Sequence, residues 1–174
     1  MLGTIPPVSI DRDHVRGAPD GRVTLVEYGD FQCPYCGDAY PVVRALLAEF
    51  DWLRFVFRHM PLPDLHPRAP AAAEAAEAAG AQGRFWDMHD RLFEHQHQLG
   101  GADLRDHAGE LGLDVERFER ELLDHTHKAH VDEDYAGGAA SGIPSTPRFF
   151  VNGRMHPGSA TEPDLRRLIE AEYG

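Results

Sequence analysis

Cys33 and Cys36 are the only thiols of the chain and stand three positions apart in "GDFQCPYCGDAY", residues 29–40. Two thiols at that spacing can form a structural disulfide, half of a zinc site or a reversible redox pair. A disulfide closing so short a loop removes little chain entropy. The 174 residues are also enough to bury a core without a staple. A closed zinc site needs four ligands, so the pair would have to recruit two of the eleven histidines. His95-x-His97 and His125-x-His127 are available, but both lie in polar stretches where solvated imidazoles are the ordinary expectation. A C-x-x-C beside a strand and a helix is most often redox-active, and that use requires the two sulfurs to differ.

The elements around the pair supply the difference. "RVTLVEYG", residues 22–29, is rich in β-branched and aromatic residues and closes with Gly29 and Asp30, which predicts a strand. From Pro34 the apolar residues Cys36, Tyr40, Val43, Leu47 and Phe50 recur at steps of three and four, one face of a helix. Cys36 therefore points into the core. Cys33 sits just before the helix and points out over its end, where unpaired N–H groups and the helix dipole favour a thiolate. This assigns Cys33 as nucleophile and Cys36 as the resolving thiol. Pro34 suits the first helical turn, having no N–H to leave unsatisfied.

The rest of the chain frames this junction. The Pro- and Gly-punctuated start reads as an extended arm ending in a turn. "WLRFVFRHM", residues 52–60, alternates as a strand, with Leu53, Phe55 and Phe57 on one side, and completes a parallel β-α-β unit. Residues 63 to about 140 hold no convincing strand. The Ala-rich run at 68–83 and the periodic series through Phe85, His89, Leu92, Leu104, Leu111 and Phe118, with Asp114 as a cap, predict several short helices. "RFFVNGRMH" predicts a hairpin around Asn152-Gly153. A last helix follows, capped by Thr161 with Pro163 in its first turn and Leu165, Leu168 and Ile169 inward. The fold class is α/β, in the order βαβ, helical block, ββα. A net charge of -12 without a basic block argues against nucleic acid and anionic membrane surfaces. No run is long and apolar enough for membrane insertion, and the start lacks a signal peptide's features. The chain as written reads as cytoplasmic. A mature form whose leader had been removed would read the same and act in the periplasm or elsewhere outside the cytoplasm.

"VEYGDFQCPYC", Pro41 five residues beyond the second cysteine, the helical block and "GIPSTPRFFVNG" together resemble the DsbA-like branch of the thioredoxin superfamily over residues 20–174. The likeness is to bacterial standalone members and to the related domain appended to some sodium/proton antiporters. It implies a thioredoxin fold with a helical insertion: an arm at 1–20, core halves at 21–62 and 141–174, and the insertion at 63–140. Cys33 and Cys36 would form the redox-active disulfide and exchange it with protein or peptide thiols, with no metal and no organic cofactor. Pro34, Tyr35, Thr146 and Pro147 would meet substrate, Thr146-Pro147 as the cis-proline segment; without the resemblance Pro147 reads as a turn residue. Glu27 would be the catalytic buried acid beneath the site, although a Glu in a strand can equally end an edge strand in solvent. The Pro34-Tyr35 dipeptide matches glutaredoxins, not the Pro-His of the branch's most familiar oxidase. Glutathione is therefore a candidate partner, and glutaredoxin-like or S-transferase activity an alternative, although a glutaredoxin is far shorter and lacks the helical block. A peptide-binding module with regulatory thiols is the reading from another class. The other histidines and Trp86 read as structural or exposed.

Overall fold

The computed structural model describes residues 4–157 and 162–174. Strand β1 (His14–Gly17) precedes β2 (Val23–Gly29), helix α1 (Pro34–Glu49) and β3 (Leu53–His59). Five helices follow: α2 (Ala69–Gly80), α3 (Phe85–Glu94), α4 (Gly101–Glu110), α5 (Val115–Leu123) and α6 (Lys128–Ala140). The chain closes with β4 (Arg148–Val151), β5 (Arg154–Met155) and α7 (Glu162–Tyr173). The expected cap Thr161 lies outside the described residues.

The sheet has the order β1-β3-β2-β4-β5, with β2 and β3 parallel and every other pair antiparallel. β2 is thus central, flanked over most of its length by β3 and β4. Its register sets Glu27 opposite Phe57 on one side and Phe149 on the other, which removes the edge-strand reading of Glu27. Asn152 and Gly153 turn the last hairpin with φ of 47° and 80°, the conformation that favours Asn-Gly in a two-residue loop.

Strand alternation divides the core between the two faces of the sheet. Leu25, Leu53, Phe55, Phe57 and Phe149 pack with Val43 and Leu46 of α1, the alanines of α2, and Leu165 and Ile169 of α7. Val26, Tyr28, Val56 and Phe150 face the other way, with Met60 and Ile143. The N-terminal arm covers this second face: Ile5 and Val8 pack on it, and the arm does more than end in a turn. Arg58, buried on β3, binds Asp13 through Nε and Nη2 at 2.8 and 3.0 Å and donates to Pro6 O, Pro7 O and the Tyr28 hydroxyl. Residues 14–17 then add an edge strand to β3. The expected plain arm is corrected here; Trp86 holds the strand by donating from Nε1 to Val15 O at 3.0 Å.

α2 is buried on nearly every side, which its alanines allow by letting neighbouring helices approach closely. Asp114 caps α5 as its position predicts, accepting from Arg117 N at 3.0 Å. No helix among the described residues is long and apolar enough to cross a membrane.

Candidate active site

β2 ends at Gly29 and α1 begins at Pro34, so four residues carry the chain from the sheet to the helix. Asp30 shapes this turn. Its buried carboxylate accepts from Gln32 N and Cys33 N through Oδ1, at 2.8 and 3.1 Å, and from Leu62 N through Oδ2 at 2.9 Å; His66 Nδ1 lies 2.9 Å from the same Oδ2. Its own N–H donates to Cys36 Sγ at 3.5 Å. Cys33 is the N-cap of α1, with extended φ and ψ of -68° and 121° and its carbonyl accepting from Gly37 N.

Gln96, from the helical block, clamps the turn from outside by donating from Nε2 to Phe31 O at 2.9 Å and to Cys33 O at 2.8 Å. Gly37 makes room for it, since a Cβ there would come within 2.2 Å of Gln96 Oε1. Sequence reasoning missed both holders. Asp30 carries a local signal, an Asp two residues before the amide it binds, the pattern of an Asx turn. Gln96 carries none.

Both cysteines are free thiols and both are buried, Cys36 completely. Cys33 sits over the helix end as expected, facing the N–H groups of Tyr35 and Cys36, but it is not open to solvent, because Thr146 lies across its sulfur. Cys33 Sγ donates to Thr146 O at 3.6 Å, and the Thr146-Pro147 bond is cis. Thr146 is buried and Pro147 half-buried, while Pro34 is exposed and Tyr35 is 71% exposed. The structure therefore brings Cys33, Cys36, Thr146 and Pro147 together beneath a surface formed partly by Pro34 and Tyr35.

The electrostatics separate the two sulfurs. Cys33 is pulled down to about 6, chiefly by a hydrogen bond from the Cys36 thiol. Burial opposes the shift; Thr146 and the backbone N–H groups of Cys36 and Tyr35 add to it. The Thr146 hydroxyl has no partner beside the thiol, so it is free to donate once the thiolate forms. Cys36 moves the other way, well above the ordinary thiol value, first through burial and then because its S–H is given to Cys33. Glu27 is fully buried, and burial with the nearby Cys33 charge pushes its carboxyl up to about 8. Its Oε1 has no hydrogen-bond partner.

The pairs His95-x-His97 and His125-x-His127 do not join the cysteines in a metal-binding cluster among the described residues.

A dithiol at the start of the first helix of a β-α-β unit, faced by a cis-proline loop leading into an antiparallel strand, is the arrangement of the thioredoxin class. The family model described as Thioredoxin matches residues 9–171, and the chain belongs to that family. A thioredoxin-like oxidoreductase from Silicibacter pomeroyi DSS-3 is 30% identical with a TM-score of 0.84, covering 93% of this chain and 92% of that one. Oxidised BdbD from Bacillus subtilis is 26% identical with a TM-score of 0.85, covering 98% and 97%. A Salinispora arenicola protein named Na(+)/H(+) antiporter NhaA 1 is 56% identical over 173 residues, 99% of this chain and 26% of the relative. The chain spans about a quarter of the length of the curated relatives it matches.

Proposed function

We propose that the protein exchanges disulfides with protein or peptide thiols through Cys33 and Cys36. The observation that carries this reading is the inequivalence of the two sulfurs, one held near pKa 6 at a helix N-terminus and the other buried well above the ordinary value one turn on. In the reducing direction, the Cys33 thiolate attacks one sulfur of a substrate disulfide. The substrate S–S bond breaks, a Cys33–substrate disulfide forms and one substrate thiolate leaves. In the mixed disulfide the Cys33 charge no longer holds the Glu27 proton, so Glu27 loses it more readily; the ionised fraction takes the proton of Cys36 as that sulfur attacks Cys33 Sγ and releases the second substrate thiolate. The substrate is reduced by two electrons and the Cys33–Cys36 pair is oxidised; the reverse sequence oxidises a substrate dithiol. Thr146 and Pro147 lie where the backbone of an extended peptide would pair, beside exposed Pro34 and Tyr35.

Cys33 at about 6 falls between the values of about 7 for thioredoxin and about 3.5 for DsbA. The expected potential accordingly lies between theirs, around -200 to -230 mV, as for glutaredoxins. A glutathione titration measures it and gives the direction of exchange against a compartment's poise. Insulin-disulfide reduction tests the function. Turnover should vanish in Cys33→Ser, and Cys36→Ser should accumulate mixed disulfides through Cys33. Peptide binding without cysteine-dependent turnover would replace this reading with that of a binding module.

A further inference from the structure

Away from the dithiol, three histidines from three elements converge on one carboxylate. Glu77, with a side chain 7% exposed, projects from α2. His14 Nε2, from β1, lies 2.9 Å from Glu77 Oε1 and 3.0 Å from Oε2. His130 Nε2, from α6, lies 3.7 Å from Oε1. His59 Nε2, at the end of β3, approaches the same Oε1 at 2.7 Å. We propose that His14, Glu77 and His130 form a binding site for a divalent transition-metal ion of the zinc type, with His59 positioning the carboxylate.

The geometry fits before any metal is added. Four ligands about 2.0–2.1 Å from a tetrahedral zinc stand about 3.3 Å from one another. His14 Nε2 stands 3.0 Å from Glu77 Oε2, a little inside that spacing, and the ligand atoms of His14, Glu77 and His130 all lie within 4.8 Å of one another, so a small turn of the His130 ring closes the set around an ion. The two imidazole side chains are 24% and 26% exposed, so an ion reaches them from solvent while Glu77 forms the floor. The fourth position falls to water.

Neighbours hold the first ligand in place. The His14 ring stacks on Phe85 at 3.5 Å, tilted only 5°. Gly80 leaves space for that ring, because a Cβ there would stand 3.2 Å from His14 Cε1. His59 is buried with no partner at Nδ1, which assigns its proton to Nε2. That N–H donates to Glu77 Oε1 and leaves Oε2 to the ion, the outer support that ligating carboxylates receive in protein metal sites. Asp134 Oδ2 stands 3.8 Å from His130 Nε2, but the Asp134 carboxylate already accepts from Arg12 and from the backbone N–H of His59, so it adds negative field and not a ligand. Two imidazoles with one carboxylate select zinc-type ions over calcium or magnesium, which take oxygen ligands.

The test uses the full chain with Cys33→Ser and Cys36→Ser, because a free dithiol binds zinc by itself. Equilibrium dialysis should find one zinc per chain, unaffected by excess calcium. Cobalt should give the visible absorption of a low-coordinate site, and zinc should raise the melting temperature. His14→Gln and His130→Gln, each confirmed folded by circular dichroism, should each weaken zinc at least tenfold and remove the thermal shift. His59→Gln should weaken it about 10- to 100-fold, the range for outer-shell partners. His95→Gln with His97→Gln should change nothing. Failure to bind one zinc, displacement by calcium, or unchanged affinity in folded His130→Gln would overturn the site and leave the cluster an ion-pair network.

Discussion

Glu27→Gln separates a buried acid from an ordinary strand residue without touching either sulfur. The Glu27 carboxyl moves from 4.5, its value in the unfolded chain, to about 8 in the fold, first through burial and second through the Cys33 charge. Between those two values the folded protein keeps a proton that the unfolded chain has lost. The carboxyl's contribution to stability is therefore fully present below pH 4.5 and is lost as pH rises toward 8. Each pH unit in that interval costs about 1.4 kcal/mol, so the deficit reaches about 3 kcal/mol at pH 7 and about 4 kcal/mol at pH 8. Glutamine has the same shape, stays neutral and escapes this loss. Leaving its amide without partners adds about 1–3 kcal/mol of cost, but that cost does not vary with pH. Urea denaturation of both proteins in reductant at pH 5, 6, 7 and 8 should show the variant gaining on the wild type at each step. Oxidising the pair removes the Cys33 charge and should shrink the gain at pH 8. A stability difference equal at pH 5 and pH 8 would refute the argument. Stopped-flow of the two exchange steps should show Glu27→Gln slowing release of the mixed disulfide with little effect on attack by Cys33.

Iodoacetamide labelling with mass mapping should titrate Cys33 with a midpoint near pH 6 while Cys36 stays unreactive; preferential labelling of Cys36 would reverse their roles. Gln96→Ala takes the side-chain donor from the Phe31 carbonyl and leaves the Cys33 carbonyl with Gly37 N alone; it should cost about 1–3 kcal/mol, read by urea denaturation, while raising Cys33 labelling at fixed pH. Asp13→Ala strands the Arg58 charge inside the protein and should cost about 3–5 kcal/mol, whereas Asp13→Leu with Arg58→Met should recover most of it.

Local pattern and tertiary proximity left different marks on this sequence. β2, β3, the Asn152-Gly153 hairpin and the Asp114 cap each rest on neighbours within a few residues, and each was legible. The β1 segment His-Val-Arg-Gly has almost no strand character of its own. It becomes a strand because β3 offers an open edge and Arg58 fixes the arm through Asp13, contacts between residues 37 to 45 positions apart. The location of the cysteines could be read from helical periodicity. Burial of Cys33 could not, since Thr146 comes from the far end of the chain. Gln96, and the meeting of His14, Glu77 and His130 from three separate elements, leave no local spacing to detect.

The Cys33 sulfur stands between two walls of different character. On the helix side, Gln96 grips the backbone with an amide that carries no charge at any working pH and takes no part in electron transfer. On the Thr146 side, every proton and electron rewrites the contacts: the thiol donates to the Thr146 carbonyl, a thiolate accepts from the hydroxyl, and a disulfide does neither. Redox cycling should therefore leave residues 31–37 in place and shift residues 145–147, where a peptide substrate is proposed to pair. Backbone amide resonances of Thr146 and Arg148 should move between oxidation states more than those of Gln32 and Gly37. The state of the sulfur would then govern the grip on the peptide, loosening it when exchange is complete.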